Sequence, residues 1–315
     1  MLNMLNADVK EFDFTSEFDG LVVNAMIAVP SGPINGIVQI VHGMCEYKER
    51  YMPFMDYLAE EGFITVIHDN RGHGKSICSD EDLGFLYRNG GRGFVEDIAQ
   101  LARITRQAYP DAPYFMLGHS MGSLGARMFV KEHDAEINGL IVCGSPCFNR
   151  FSSFASAIRS ALSKKLGSHF RSDKIAGIME DMFNKPFARE NIPHAWICSD
   201  REVVEKYNSD PKCNFIFTLN GYEALLYLLK ETYSKKDWCV ENPSLPIRFI
   251  SGKNDPCMLS EKKFFKAIAL MENVGYSSVS HRLFDGMRHE ILNEKNNMLV
   301  YRDIAKTLFS WIDRI

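Results

Sequence analysis

Residues 115–132 constrain the fold more than any other part of the chain. They comprise a short apolar strand, then Gly118-His119-Ser120-Met121-Gly122, then a helix. A Gly-X-Ser-X-Gly turn between a strand and a helix holds its serine in a strained backbone conformation that tolerates only small close neighbours. The pattern predicts a sharp turn that exposes Ser120 at the carboxyl end of the strand. An ordinary glycine-rich turn would carry the same five residues, so the surrounding sequence has to decide.

Short apolar strands alternate with helices on both sides of this turn. The pattern predicts a hairpin over 11–29, strands over 36–41, 63–67, 139–143, 246–251 and 278–283, and helices over 50–61, 94–108 and 260–273, with a last helix that reaches residue 311. Strands that are apolar on both faces and alternate with helices form a mainly parallel sheet with helices on each side. The antiparallel hairpin fits an edge of this α/β sheet.

The alternation stops between residues 147 and 242, where the sequence shows helical patterns and no convincing strand. One apolar stripe runs from Phe151 to Leu166, and a second apolar cluster runs from Phe215 to Leu229. Ligands of open α/β folds bind beyond the carboxyl ends of the strands. We therefore expect 147–242 to form an α-helical cap over that edge, inserted between core segments 1–146 and 243–315. A helical subdomain that merely packs on the core is the alternative.

Composition restricts the class of protein. The 315 residues are 46% hydrophobic and carry a formal net charge of −4 without a basic block, which argues against nucleic acid as a partner. The start lacks a secretory pattern, and no stretch approaches the ~18 apolar residues of a membrane span. Eight scattered cysteines without Cys-X-X-Cys pairs predict reduced thiols. These features predict a cytoplasmic location and leave the oligomeric state open.

Two further loops carry side chains that we predict to act together with Ser120. A serine hydroxyl needs an adjacent base to act as a nucleophile. Asp255 follows the strand over 246–251, and His289 follows the last strand, so both loops reach the same sheet edge as Ser120. Their order along the chain is serine, acid, histidine. We predict that His289 takes the Ser120 proton and that Asp255 orients the imidazole.

A third loop at this edge begins with His42-Gly43-Met44. In this kind of fold an oxyanion hole uses one N–H from the residue after the nucleophile and one from the early loop, which here are the backbone amides of Met121 and Met44. The histidines at 42, 68, 73 and 119 lie on separate loops without ligand spacing, so we predict no metal site. The glycines at 90, 91 and 93 are predicted to form a flexible loop before the next helix.

Several motifs together resemble one family: His42-Gly43-Met44-Cys45-Glu46 with Arg50-Tyr51, the run 69–76, Gly118-His119-Ser120-Met121-Gly122 and Arg288-His289-Glu290. They resemble the monoacylglycerol lipase/lysophospholipase family of the α/β-hydrolases, in the serine aminopeptidase-like group. The resemblance covers both core segments and Asp210-Pro211. It implies an α/β-hydrolase fold, a carboxylic ester hydrolase with a Ser/Asp/His triad, no cofactor and a mobile lipid-facing lid.

The resemblance also implies that Glu46 and Arg50 help to form the pocket for the polar head of the substrate. Cys45, Tyr47 and Asn70 depart from the family pattern, which has Gly, His and His at these positions. Because Cys45 lies beside the oxyanion loop, the departure bears on the preference for the alcohol.

We therefore expect hydrolysis of esters of single-chain lipids, either monoacylglycerol or lysophospholipid, through an acyl-Ser120 intermediate. The basic and aromatic face over 151–171 is explained most simply by packing of the cap on the core, with transient contact to a membrane surface as the alternative. Two alternatives stay open. A serine aminopeptidase or amidase of the same fold would need an acidic pocket for a free amine, and the predicted cap offers Glu180, Asp181, Glu202 and Glu205. A catalytically inactive hydrolase fold that serves only for binding is the second.

Overall fold

The computed structural model describes residues 6–148 and 166–315. Its strands are β1 Ala7–Thr15, β2 Val22–Pro30, β3 Gly36–Val41, β4 Phe63–His68, β5 Tyr114–His119, β6 Gly139–Cys143, β7 Ile247–Gly252 and β8 Val279–Phe284. The α-helices in these ranges are α1 Met52–Glu60, α2 Gly90–Ala108, α3 Met121–His133, α4 Asp173–Asn184, α5 Arg201–Ser209, α6 Leu219–Thr232, α7 Glu261–Val274 and α8 Asn297–Ile312. None of them is long and apolar enough to cross a membrane.

The strands form one sheet in the order β1-β2-β4-β3-β5-β6-β7-β8. The first two pairings, β1 with β2 and β2 with β4, are antiparallel, and all others are parallel. Every residue of β3, β4, β5 and β6 is buried, because helices cover both faces. One apolar cluster joins the sheet to α2, α3 and α7, and the other joins it to α1 and α8. The predicted mainly parallel sheet with an antiparallel edge is confirmed.

One helix begins earlier than the sequence indicates. The glycines at 90, 91 and 93 were predicted to form a flexible loop, but α2 starts at Gly90, directly after Asn89 in a left-handed conformation with φ of 51°. A glycine in a helix costs ~1 kcal/mol relative to alanine. Here the missing side chain permits close packing, since a Cβ on Gly91 would lie 2.5 Å from Cδ1 of Tyr227 in α6. The loop prediction was therefore wrong.

The alternation of strands and helices stops between β6 and β7. Over the described part of this stretch the structure has α4, α5, α6, short 3-10 turns and one isolated bridge between Arg171 and Thr218. The apolar stripe predicted from Phe151 lies outside the described residues, apart from Leu166 at its end. Contacts with the core include a 2.6 Å hydrogen bond from Tyr47 to Asp210. We propose that 147–242 is a cap on a core formed by 1–146 and 243–315.

Three buried histidines near the carboxyl ends of β3 and β4 are neutral. His42 donates from Nδ1 to the carbonyl oxygen of Gly43 at 2.8 Å, and its Nε2 accepts the N–H of Asn70 at 2.8 Å. His73 likewise pairs one donor with one acceptor. Burial lowers the pKa of His42 to about 4 and the pKa values of His68 and His73 to about 3.

Because these three histidines are buried and neutral, we predict that the free energy of unfolding falls steeply in acid. The unfolded chain binds protons on them near pH 6.5, whereas the folded chain does so only near pH 4 and below. The stabilisation is complete above about pH 6.5 and falls as pH drops towards the folded pKa values, with a slope approaching ~4 kcal/mol per pH unit for three protons. Urea unfolding in steps from about pH 7.5 to 4.5 measures this slope.

A matched pair of variants assigns the slope to the buried rings. His68→Leu should reduce it by about one third, since one of the three protons is removed, whereas replacement of the exposed His281 by Asn should leave it unchanged. Equal unfolding free energies at both ends of the pH range would contradict the prediction.

Candidate active site

The turn between β5 and α3 has the strained geometry that the sequence predicts. Ser120 has φ of 52° and ψ of −121°, a backbone conformation that non-glycine residues rarely adopt. A Cβ on Gly118 would lie 2.6 Å from the carbonyl oxygen of Gly122, and a Cβ on Gly122 would clash with the carbonyl oxygens of Val41 and His42. Only glycine fits at both positions. The turn presents a half-buried Ser120 at the carboxyl edge of the sheet.

The structure brings the three predicted side chains together. Nε2 of His289 lies 2.8 Å from Oγ of Ser120, and Nδ1 of His289 lies 3.0 Å from both carboxylate oxygens of Asp255. The Asp255 carboxylate also accepts hydrogen bonds from Oγ of Ser251 at 2.9 Å and from the N–H of Cys257 at 2.8 Å. Asp255 and His289 are each 3% exposed. This arrangement can carry a proton from the hydroxyl to the imidazole and stabilise the imidazolium.

Asp255, Cys257 and His289 form a group whose ligand atoms are close enough together to hold a metal ion, the one such group in the described ranges. The thiol makes a poor ligand here, because burial raises the pKa of Cys257 well above its ordinary value. The carboxylate and the imidazole already bond to each other, and the imidazole bonds to Ser120. We assign the geometry to proton transfer.

The predicted oxyanion residues lie on either side of Ser120. Met121 is the first residue of α3, where backbone N–H groups are free of intrahelical partners and the helix dipole is positive. Met44 follows β3, and both methionines border the same cavity as Ser120. The loop of Met44 is held by a 2.5 Å hydrogen bond from the N–H of Gly43 to the Glu46 carboxylate. Their role in binding an oxyanion stays a prediction.

Arg50 and Glu46 occupy a network beside the cavity. The Arg50 guanidinium makes two hydrogen bonds to the Glu290 carboxylate, at 2.8 and 2.7 Å, and a longer one of 3.3 Å to Glu46. Both carboxylates border the cavity, whereas Arg50 is not among the described residues that line it. Burial alone would lower the pKa of Arg50, but its charge pairing with Glu290 raises the pKa well above normal. Substrate contact by Glu46 and Arg50 stays a prediction.

Ser120 opens into a cavity of about 830 Å³. Its walls are aliphatic, thioether and aromatic side chains, chiefly Ile175, Met179 and Phe183 of α4, Trp196, and Leu225 and Leu229 of α6. The polar groups of Glu46, Ser120, His289 and Glu290 also border it. Such a cavity accommodates a long apolar chain whose reactive group lies beside Ser120.

Sequence reasoning missed the bonds that hold the His289 loop. The side chain of Arg288 pairs with Glu190 and donates to the carbonyl oxygen of Ala195, and the N–H of Glu290 donates to the carbonyl oxygen of Ile197 at 2.7 Å. The signal was present in the motif Arg288-His289-Glu290, whose flanking charges need partners when buried. The partners themselves lie about a hundred residues away and leave no local trace.

The chain is similar to known ester hydrolases along most of its length. It is 26% identical to the monoacylglycerol lipase of Mycolicibacterium smegmatis over 284 residues, 90% of each chain. It is 26% identical to the phospholipase YtpA of Bacillus subtilis over 269 residues, 84% of this chain and 92% of that one. A thermostable carboxyl esterase of Bacillus coagulans, solved with glycerol, superimposes with a TM-score of 0.87 at 27% identity and covers 96% of this chain and 99% of its own.

The sheet order, the strained turn and these likenesses identify the α/β-hydrolase fold. A family profile described as serine aminopeptidase, S33, matches residues 32–296, which include the turn and all three side chains of the proton relay. The chain belongs to the serine aminopeptidase S33 family of α/β-hydrolases.

Proposed function

We propose that the protein hydrolyses carboxylic esters of single-chain lipids through an acyl-Ser120 intermediate. The observation that carries the proposal is the 2.8 Å contact between His289 and Ser120 in the wall of a large, mainly apolar cavity. The enzyme is a carboxylic ester hydrolase, in line with its lipase and esterase relatives. No nucleic acid, metal or cofactor has a part in the proposed reaction.

The geometry supports the following steps. Oγ of Ser120 attacks the ester carbonyl carbon while Nε2 of His289 takes the hydroxyl proton, and Asp255 stabilises the imidazolium. The backbone N–H groups of Met44 and Met121 stabilise the negative charge on the carbonyl oxygen. As the carbon–oxygen bond to the alcohol breaks, His289 returns the proton to the leaving oxygen. A water molecule, deprotonated by His289, then attacks the acyl carbon and releases the fatty acid and free Ser120.

The charged groups that border the cavity favour an uncharged alcohol such as glycerol over a phosphate-bearing head group. In the part of the chain that the structure describes, no lysine or arginine borders the cavity. The Arg50 guanidinium, beside the cavity, already pairs with Glu290 and Glu46. A phosphodiester that entered the site would lose its solvation and find no cation to pair with. Desolvation of an unpaired anion costs free energy in a partly buried site.

An aminopeptidase or amidase is less well supported. Of the four acidic residues that the sequence offers between 147 and 242 for a free amine, Glu180 alone borders the cavity. Its carboxylate accepts hydrogen bonds from the N–H of His194 at 2.6 Å and from Nε1 of Trp196 at 3.0 Å. The carboxylates of Glu46 and Glu290, which also border the cavity, already pair with Arg50. Asp181, Glu202 and Glu205 are exposed and do not line the cavity.

Rates on a panel of substrates test the proposal. We expect kcat/KM for a long-chain glycerol monoester to exceed that for the matching lysophosphatidylcholine by roughly tenfold and that for an aminoacyl-naphthylamide by at least about a thousandfold, because an unmatched polar group is costly to bury. Ser120→Ala supplies the background rate. Faster cleavage of the aminoacyl amide would overturn the ester assignment, and no turnover of any ester or amide would leave only the binding alternative.

A further inference from the structure

His119 lies directly before Ser120 and is 4% exposed. Its Nδ1 is 3.0 Å from a carboxylate oxygen of Glu46, and its Nε2 is 3.3 Å from the backbone carbonyl oxygen of His289. Both partners only accept hydrogen bonds once Glu46 is ionised. A neutral imidazole has a single N–H and could satisfy one of them, whereas an imidazolium donates to both.

The neighbouring histidines 42 and 73 do not have both ring nitrogens facing hydrogen-bond acceptors. In His42 and His73 one ring nitrogen faces a carbonyl oxygen and the other faces a backbone N–H, which is the arrangement of a neutral ring. Glu46, in contrast, receives hydrogen bonds from the N–H of Gly43, the hydroxyl of Tyr51 and the guanidinium of Arg50. So many donors require an ionised carboxylate.

We propose that His119 is a positioning residue, held as an imidazolium that ties the oxyanion loop to the loop of the catalytic histidine. On one side its partner Glu46 also holds Gly43, the residue before Met44. On the other side it binds the backbone of His289 itself. The two loops that must face Ser120 are thus joined behind it by one charged ring. Only the expected effect of His119 on the reaction rate rests on the proposed function; its protonation state does not.

The electrostatic surroundings agree with this geometry. The charged and titratable groups around the ring from all packed elements are Glu46, Arg50, Tyr51, Glu290, His42, His289 and Cys143. Burial alone would lower the pKa of His119, but the charge and hydrogen bond of Glu46 outweigh it and raise the pKa above the ordinary value. Burial would raise the pKa of Glu46, and the charges of His119 and Arg50 lower it instead.

The protonation state can be measured without any substrate. In the wild-type protein with nitrogen-15 histidine, a long-range proton–nitrogen spectrum at about pH 8 should show one of the nine histidines with protons on both ring nitrogens. That signal should disappear in His119→Gln and change to the neutral pattern in Glu46→Gln. A spectrum in which all nine rings are neutral at this pH overturns the proposal, even if neither variant folds.

Kinetics on p-nitrophenyl butyrate test the positioning role. His119→Gln keeps one donor but loses the charge, and kcat should fall roughly ten- to a hundredfold with KM nearly unchanged. The imidazolium positions the two loops only below the pKa of His119, so kcat should fall as the pH rises through that pKa. Glu46→Gln removes the charge that raises this pKa, and the alkaline fall in kcat should therefore move to lower pH by at least about one unit. An unshifted alkaline limb in a folded variant contradicts the role. A wild-type enzyme without esterase activity would refute the proposed function and leave the spectrum to decide on the imidazolium.

Discussion

Replacement of Ser120 by alanine should abolish ester hydrolysis, with a loss in kcat on the order of 10⁶. The hydroxyl is the atom that forms the acyl bond, and His289 has no other hydroxyl within hydrogen-bond distance in the described structure. Alanine has the same Cβ as serine, so the strained backbone at φ of 52° should be retained. Turnover of p-nitrophenyl butyrate and labelling by a fluorophosphonate, which reacts with activated serines, measure the effect.

Ser145→Ala is a suitable control for this variant. Ser145 follows β6 at the same sheet edge and is 5% exposed, but its hydroxyl has no hydrogen-bond partner within 6–148 and 166–315. Its removal breaks no hydrogen bond among these residues, so both turnover and labelling should persist. Fluorophosphonate labelling of the Ser120→Ala protein at another residue would show that the nucleophile lies elsewhere.

Replacement of Asp255 by asparagine should lower kcat on the order of 10³ to 10⁴ while KM changes little. The amide carries no charge to stabilise the imidazolium that forms when His289 takes the proton. It also has a single acceptor oxygen, whereas the carboxylate now serves His289, Ser251 and Cys257. The amide group therefore favours the wrong tautomer of the imidazole. Steady-state kinetics together with a thermal unfolding curve separate this loss from misfolding.

Ser251→Ala provides the comparison for Asp255→Asn. It removes one of the hydrogen bonds that the Asp255 carboxylate accepts and leaves the charge and the contact with His289 in place. A hydrogen bond to a charged group contributes ~1.5 to 3 kcal/mol, which corresponds to a decrease of roughly 10- to 150-fold in kcat at most. If the two variants lost activity equally, the charge of Asp255 would not be what supports His289.

The sequence allowed the sheet and the proton relay to be predicted because both depend on local signals. Ser120 and Asp255 each follow a buried strand, His289 follows the edge strand β8, and parallel strands bring their carboxyl ends to one edge. The geometry of the turn was predictable because glycine is required where a Cβ would clash. These are properties of short segments, and a single chain displays them.

Contacts between distant loops could not be predicted in this way. The pairing of Arg50 with Glu290 spans 240 residues, and the bond from His119 to Glu46 spans 73. Gly90 and Gly91 look like a loop because their packing against α6 is invisible in the local pattern. The predicted roles of Glu46 and Arg50 came from resemblance alone, and the structure adds a network among them that composition does not reveal.

The bonds that flank His289 limit how this protein can be recombined with its relatives. Arg288 and Glu290 are hydrogen-bonded to residues between 190 and 197, so the histidine loop and the segment facing it form one unit although they are far apart in the chain. A chimera that exchanged only the stretch between β6 and β7 would separate these partners and disturb the histidine. Crossover points that transfer 286–294 together with that stretch would preserve them.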